Sequence, residues 1–109
     1  MNASEFWTVA RIADALRDEI TGAVPRDDRP VSRITTDTRQ IASGDCFVAL
    51  IGEKFDAHDF LREAVERGAV ALVVSRPERG AGLGVPVFSV HDTLEALGAL
   101  ARYRRRAWS

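Results

Sequence analysis

Residues 46–74 read CFVALIGEKFDAHDFLREAVERGAVALVV, and the alternation of apolar and polar stretches in this segment decides the fold. Residues 46–51 form a continuous apolar run, which is typical of a strand covered on both faces, and residues 69–74 form a second such run. Between them, apolar residues recur at helical spacing: Phe60, Leu61, Ala64 and Val65. The strand–helix–strand order predicts a right-handed parallel crossover.

The ends of this central helix carry their own signals. Asp56 and Asp59 stand three residues apart at its start and resemble a capping box. Gly68 lies where a C-cap glycine belongs. His58 falls in the first turn, where a capping or packing role is expected rather than metal binding.

The segment before residue 46 predicts a helix and a strand. Thr8 is a candidate N-cap for a helix that runs to Ile20 and is closed by Gly22. Its apolar face comprises Val9, Ile12, Ala13, Leu16 and Ile20. Residues 25–30 contain two prolines and predict a loop, and residues 32–37 predict a short strand.

The segment after residue 74 predicts a connector, a strand and a helix. Residues 80–84 are glycine-rich and indicate a flexible connector. Residues 85–90 predict a strand, in which Pro86 favours an edge position or the strand start. Asp92 begins a D-x-x-E cap for a last helix to about Arg105. The fold class is therefore α/β: a small single domain with a mixed, partly parallel sheet flanked by about three helices.

The amino-acid composition limits the classes of function that this chain can have. The chain has 109 residues, 46% of them hydrophobic, and a formal net charge of −1, which predicts one soluble domain without a general attraction to nucleic acid or membrane. The single cysteine, Cys46, is expected to be a small buried residue in a reducing cytoplasm. The N-terminal MNASEFW lacks the apolar core of an export signal, so we expect a cytoplasmic protein.

Several familiar sites are not supported. The segment Gly52-Glu53-Lys54 lacks the first glycine and the hydroxyl of a phosphate-binding G-x-x-x-x-G-K-[ST] loop. A helix does not directly follow the glycines at 80–84, which argues against a dinucleotide loop. His58 and His91 are far apart, no Cys/His pair has metal-ligand spacing, and His91 is expected in a surface loop. We therefore predict neither a metal site nor a cofactor in this chain.

Two polar loops follow the first two predicted strands, at residues 35–39 and 52–58. Ligands of α/β sheets gather beyond the carboxyl ends of strands. The hydroxyls, carboxylates, two cations and aromatic ring of these loops suit a uridine nucleotide. An alternative stays open: Asp37 could form only an Asx turn, with Arg39 paired to Asp37 or Asp45.

Four motifs in order resemble the N-terminal domain of the Mur ligases: TDTR at 36–39, GDCFVAL at 44–50, GEKFDAHDF at 52–60, and GA at 68–69 before a strand. The resemblance covers nearly all of residues 1–109 but only the first of the family's three domains; the central ATP-binding and C-terminal domains would be absent from this chain. Asp37-Thr38-Arg39 stands where the branch that adds the third peptide residue tends to read D-S-R. With FDAHDF, this favours the D-alanyl-D-alanine-adding branch.

The resemblance implies a function. Mur ligases of this branch join D-alanyl-D-alanine to UDP-N-acetylmuramoyl-tripeptide during peptidoglycan precursor synthesis, using ATP and Mg²⁺ bound by the central domain. The first domain would bind the UDP end, would contact the ligase's own central domain, and would be inactive alone. The implied UDP-binding residues are Thr36, Asp37, Thr38 and Arg39 in the first loop, and Glu53, Lys54 and Phe55 in the second. Among these, Arg39 and Lys54 would contact phosphate or ribose.

Two other functions remain open: a stand-alone nucleotide-binding or interaction module, and the same domain of the ligase that adds the third residue. A basic cluster near the C-terminus is interpreted as a helix end whose cations meet the dipole, not as a nucleic-acid patch: Arg102, Arg104, Arg105 and Arg106. Trp7 and Trp108 are expected to pack on the core or on a missing domain.

Overall fold

A computed structural model describes residues 6–107, which form a parallel sheet between two layers of helices. The strands are β1 (Ile34–Thr35), β2 (Cys46–Val48), β3 (Ala71–Val74) and β4 (Val87–Ser89). The α-helices are α1 (Val9–Ala15), α2 (Leu61–Glu66), α3 (Pro77–Gly80) and α4 (Thr93–Arg106), and 3₁₀ turns lie at Thr38–Gln40 and Ala57–Phe60. The predicted α/β class is confirmed; within residues 6–107 the sheet is entirely parallel where a mixed, partly parallel one was expected, and four α-helices are present where about three were expected.

The four strands are arranged in the order β1-β2-β3-β4, and each neighbouring pair is parallel. Ile34 pairs with Cys46, Cys46 with Ala71, and Leu72 with Val87. Antiparallel pairing is confined, among the described residues, to three isolated bridges outside the strands. All four strands therefore end at one side of the sheet, which we call the carboxyl edge.

Successive side chains of a strand point to opposite faces, and each face has its own core. Val48 and Phe88 belong to the cluster that α1 and α4 cover. Phe47 and Leu72 belong to the cluster that α2 covers. Burial of both faces explains why the strand sequences are continuously apolar rather than alternating.

The first helix is shorter than predicted. Thr8 is the N-cap, as expected, and its side chain accepts a hydrogen bond from the backbone N–H of Arg11 at 3.0 Å. However, α1 ends at Ala15, not near Ile20, so the prediction that Gly22 closes it was wrong. Ile20 instead forms an antiparallel bridge with Val90, because pairing with the end of β4 competes with another helical turn.

The strands are also shorter than the apolar runs that predicted them. The run 46–51 was expected to be buried throughout, but β2 ends at Val48 and Ile51 is 49% exposed. Ile51 leaves the sheet to form an antiparallel bridge with Asp56. The short helix α3 was not predicted; Pro77 at its first turn is the position that proline favours in a helix.

The turn before α2 differs in one respect from a capping box. Asp56 caps the 3₁₀ turn by accepting the N–H of His58 at 2.9 Å. The side chain of Asp59 pairs with Arg79 instead of reaching back to the cap. Gly68 ends α2 as predicted: its φ is +113°, and a Cβ there would lie 2.7 Å from the Cα of Ser43.

Cys46 and Trp7 are core residues. The Cys46 thiol is fully buried; this burial and the nearby charge of Asp45 raise its pKa to about 12. Trp7 is 9% exposed and stacks on Tyr103 of α4 with ring centroids 5.9 Å apart. The prediction that Trp7 packs on the core is confirmed, whereas Trp108 lies outside the described residues.

Candidate functional site

The first polar loop contains a 3₁₀ turn capped by Asp37. Oδ1 of Asp37 accepts the backbone N–H of Arg39 at 2.9 Å, and the guanidinium of Arg39 donates to both carboxylate oxygens at 3.1 and 3.2 Å. The side-chain hydrogen bonds are the main cause that lowers the pKa of Asp37 and raises that of Arg39. The Asx turn considered as an alternative in the sequence analysis is present. Of the two aspartates considered as partners of Arg39, Asp37 is the one that pairs with it, whereas Asp45 pairs with Arg33.

The Asp37–Arg39 pair leaves the arginine accessible. The side chain of Arg39 is 86% exposed, against 32% for Asp37. Thr36 is exposed and Thr38 is half-buried. The loop thus presents two hydroxyls and a cation to solvent, and Asp37 restricts where that cation lies.

The second polar loop is a tight hairpin over residues 51–56, which we call the 51–56 hairpin. Ile51 and Asp56 bridge its base, and the N–H of Gly52 donates to the carbonyl of Phe55 at 2.6 Å. These two closures place Glu53 and Lys54 at the tip. The hairpin is therefore a defined structure rather than a loose loop.

The exposed surface of this hairpin combines charge with an aromatic face. Glu53 and Lys54 are exposed, and Phe55 is 52% exposed. Phe55 stacks on Phe60, with ring centroids 5.5 Å apart and an interplanar angle of 18°. Phe60 was not predicted as a site residue. Its position in the sequence could have indicated it, since Phe60 follows the 51–56 hairpin by about one helical turn and can therefore lie beside Phe55.

The base of the hairpin is tied to the strand beside it through His58. This ring is 2% exposed; its Nδ1 lies 2.7 Å from Oδ1 of Asp56, and its Nε2 accepts the N–H of Ser75 at 3.0 Å. Arg76 donates to the other oxygen of Asp56 at 2.8 Å. Burial opposes ionisation of Asp56, but the bonds from His58 and the charge of Arg76 outweigh it and lower its pKa. The predicted capping or packing role of His58 is confirmed.

Because β1 and β2 are parallel neighbours, the loops that follow them leave the carboxyl edge side by side. The structure thus brings both predicted groups of residues, 36–39 and 53–55, to one edge of the sheet. Neither group lines either of the two described pockets.

One of these pockets, of about 270 Å³, lies at the same edge. It is lined by residues that follow β2, β3 and β4: Leu50, Ile51, Ser75, His91, Asp92, Thr93 and Leu94. Sequence reasoning missed it because only the first two strands were considered. The parallel order would have pointed to the ends of all four strands. His91 is exposed there, as expected for a loop residue.

The larger pocket, of about 590 Å³, lies between α1 and the C-terminal half of α4. Arg11, Arg102 and Tyr103 are among its lining residues. A helix rises about 1.5 Å per residue, so the end of α4 is on the order of 20 Å from its start at the carboxyl edge. This pocket is therefore separate from the predicted site, although it is the larger of the two.

Comparison with known proteins decides the family. The family model described as "Mur ligase family, catalytic domain" matches residues 30–105, which include all four strands. The chain belongs to the Mur ligase family. That description names the catalytic domain, but the chain contains no G-x-x-x-x-G-K-[ST] loop. The resemblance to this family, stated above from four motifs, is confirmed by this match.

The relatives in this family include ligases of two specificities. The chain is 43% identical over 99 residues, 91% of its length, to the UDP-N-acetylmuramoyl-tripeptide–D-alanyl-D-alanine ligase of Escherichia coli (strain K12). It is 46% identical over 71 residues to the UDP-N-acetylmuramoyl-L-alanyl-D-glutamate–2,6-diaminopimelate ligase of Aquifex aeolicus (strain VF5), 65% of its own length. The chain spans 20% of the first relative and 14% of the second.

Solved structures agree with the family. A crystal structure of MurF from Acinetobacter baumannii matches 93% of the chain and 21% of that protein, with 36% identity and a TM-score of 0.77. MurF ligase from Thermotoga maritima, solved with ADP, matches 64% of the chain and 16% of that protein, with 34% identity and a TM-score of 0.56. The Mur ligase fold of this chain is thus shared over almost its whole length.

Within residues 6–107, His, Cys, Asp and Glu side chains do not come together in groups of three or more that could hold a metal ion. No helix in this part of the chain is long and apolar enough to cross a membrane.

Proposed function

We propose that this chain binds the UDP moiety of UDP-N-acetylmuramoyl-tripeptide, as the N-terminal domain of a ligase that adds D-alanyl-D-alanine in peptidoglycan precursor synthesis. The observation that carries the proposal is the 43% identity, over 91% of the chain, to a ligase of that name. The proposal includes ATP-dependent ligation by the whole protein and contact with its central domain. A cytoplasmic location stays a prediction that goes with it.

The geometry at the carboxyl edge supports a nucleotide site. The hydroxyls of Thr36 and Thr38 can hydrogen-bond the polar edge of a base or a ribose. The exposed ring of Phe55, backed by Phe60, offers a face on which a uracil can stack. Because Arg39 is held by Asp37, its guanidinium is positioned for a phosphate or ribose oxygen.

Lys54 and Glu53 complete the proposed site at the tip of the 51–56 hairpin. An exposed ammonium on a flexible stem can follow a diphosphate without fixed geometry. Glu53 is assigned to the sugar hydroxyls, since a carboxylate accepts hydrogen bonds but repels phosphate. Both side chains would therefore contact the part of the substrate between uracil and peptide.

The proposed role is to supply binding energy far from the reacting atoms. Holding the UDP end positions the distant peptide carboxylate and removes part of the entropic barrier to its reaction. In the whole ligase, ATP would activate that carboxylate and Mg²⁺ would neutralise phosphate charge.

An NMR titration with UDP, then with UDP-N-acetylmuramic acid, and with ATP as a control tests the proposal. We expect amide shifts confined to Thr36–Arg39 and Glu53–Phe55 with the uridine ligands and absent with ATP. Affinity will be weak, because part of the contact surface belongs to the rest of the ligase. Equal shifts with ATP, or none at millimolar uridine ligand, would contradict the assignment of uridine binding to this domain.

Similarity to the diaminopimelate-adding ligase of Aquifex aeolicus favours a second candidate, the branch that adds the third peptide residue. Both branches bind a UDP-linked peptide, so UDP binding alone cannot separate them. Assaying the whole ligase with D-alanyl-D-alanine and with diaminopimelate as competing substrates will do so. If a stop codon instead follows Ser109, the stand-alone nucleotide-binding or interaction module is favoured.

A further inference from the structure

Outside the seven predicted site residues, a series of hydrogen bonds runs from Asp56 through the buried ring of His58 to the backbone of Ser75. It joins the end of the 51–56 hairpin to the end of β3. His58 is 2% exposed, a low value for an ionisable side chain, and both of its ring nitrogens have partners. A local turn needs only the backbone cap from Asp56, so the second bond, to Ser75, requires another explanation.

We propose that His58 is a positioning residue that fixes the 51–56 hairpin, and with it Glu53, Lys54 and Phe55, for the uridine nucleotide. The inference rests on the proposed function, because it gives the hairpin its ligand. His58 does not itself contact the nucleotide. It acts through Asp56, whose backbone bridges Ile51 and closes the hairpin.

The hydrogen bonds define the state of the ring. A backbone N–H can only donate, so Nε2 of His58 must accept from Ser75, and Nδ1 must carry the proton that it donates to Asp56. The ring is therefore the neutral Nδ1–H tautomer. A second proton, on Nε2, would face the N–H of Ser75 donor against donor and break the link to β3.

Two ion pairs lie near the ring, and the first of them also joins Asp56 to the end of β3, at the residue after Ser75. Asp56 and Arg76 form an ion pair beside His58, and Asp59 pairs with Arg79 between the same turn and α3. The pKa of Asp56 lies below its usual value, so near neutral pH its carboxylate is charged and can accept the hydrogen bond from Nδ1 of His58.

Two near-isosteric variants separate the two hydrogen bonds of His58. Asparagine can keep a donor near the Nδ1 position but loses the acceptor for Ser75. Glutamine can keep an acceptor near the Nε2 position but loses the donor to Asp56. We expect either variant to weaken UDP-N-acetylmuramic acid binding by about tenfold at a temperature where it is fully folded. The amides of residues 52–56 should shift or broaden without ligand.

A matched control distinguishes positioning from a merely structural role, with UDP-N-acetylmuramic acid as the probe. At a temperature where the variant is fully folded, His58→Gln should weaken binding and change the amide shifts of residues 52–56 in the free protein. His91→Gln, which removes the other histidine of the chain, should keep both the wild-type affinity and the wild-type amide shifts of these residues.

Arg76→Gln covers the case in which both His58 variants fail to fold. The side chain of Arg76 is 48% exposed, so its loss should be tolerated. It should lower affinity about threefold, whereas Arg79→Gln, which breaks the Asp59 pair, should leave affinity unchanged. Three results would overturn the inference: unchanged affinity in folded His58 variants, unchanged amide shifts of residues 52–56 in those variants, or, where neither His58 variant folds, unchanged affinity in Arg76→Gln. Absence of wild-type binding would instead overturn the proposed function.

Discussion

Two turns at the carboxyl edge share one local design. Asp37-Thr38-Arg39 and Asp56-Ala57-His58 each begin a 3₁₀ turn with an aspartate. In each, that aspartate accepts hydrogen bonds from both the backbone and the side chain of the residue two positions later. The sequence pattern Asp-x-basic thus gives the same turn twice, after neighbouring strands.

The surroundings of the two turns differ. The side chain of Arg39 is 86% exposed and bonds within its own turn, whereas His58 is buried and reaches Ser75, 17 residues away. An exposed ion pair is screened by water and contributes little to stability. A buried hydrogen bond is costly to break. The first turn therefore presents a side chain to a ligand, and the second holds a ligand-facing hairpin in place.

The largest expected effect comes from removing what supports both turns. Phe47 is fully buried in β2, beside Thr35 of β1, so Phe47→Ala should lower the free energy of unfolding by about 3–5 kcal/mol. Phe55→Ala is the matched control, since its ring is 52% exposed, and should cost less than about 1 kcal/mol. Urea denaturation measures both. Similar losses would mean that the hairpin belongs to the core.

The next largest loss of stability is expected from a substitution that disrupts the second turn alone. Asp56→Ala removes a cap and leaves Nδ1 of His58 buried without an acceptor, at a cost of about 2 kcal/mol. Asp59→Ala, in the same turn, removes only an exposed pair with Arg79 and should cost less than about 1 kcal/mol. The same denaturation experiment compares the two. Equal costs would contradict the claim that the second turn is a buried anchor.

Acid should change the contributions of the two aspartates to stability in different ways. The folded-state pKa of Asp56 is depressed, so its contribution to stability is present above its unfolded pKa of about 3.9 and is lost as pH falls through the lower folded value. Asp56→Asn should therefore flatten the loss of stability below about pH 4. The pKa of Asp37 is also lowered, but its pair is exposed, so Asp37→Asn should have an effect that about 0.5 M salt removes. Stability curves at two salt concentrations test the difference.

The smallest effect on stability belongs to the first turn. Thr38→Ala or Arg39→Ala should leave the melting temperature nearly unchanged, because both side chains are partly or largely exposed, yet should weaken UDP binding. Thermal melts and UDP titrations on the same samples provide the check. A large drop in melting temperature with unchanged binding would show that this turn, like the second, serves structure.

The local chemistry of both turns could be predicted from the sequence, and their environments could not. Asp56 and Gly68 were placed correctly because caps and positive-φ glycines depend on neighbouring residues. Ile20 and Ile51 were placed wrongly, since each leaves its predicted element to form a bridge with Val90 or Asp56. Local periodicity carries no information about such partners.

The candidate site, too, could be predicted only in part from the sequence. Strand order predicted that residues 36–39 and 53–55 would share an edge, because parallel strands end together. The bond from Ser75 to His58 joins residues that are not neighbours in sequence, and periodicity gives no sign of it. The pocket beside His91 was missed for a similar reason, since it depends on β3 and β4 lying next to β2.

The buried thiol of Cys46 in β2 also allows opening of the folded structure to be measured by cysteine labelling. Reagents for cysteine attack the thiolate, and a pKa of about 12 together with full burial withholds that form in the folded state. Because Cys46 is the single cysteine, the labelling rate reports events that open the core between the sheet and the helices α1 and α4. A nucleotide bound across the loops after β1 and β2 would slow this labelling, and the native cysteine is the labelling site.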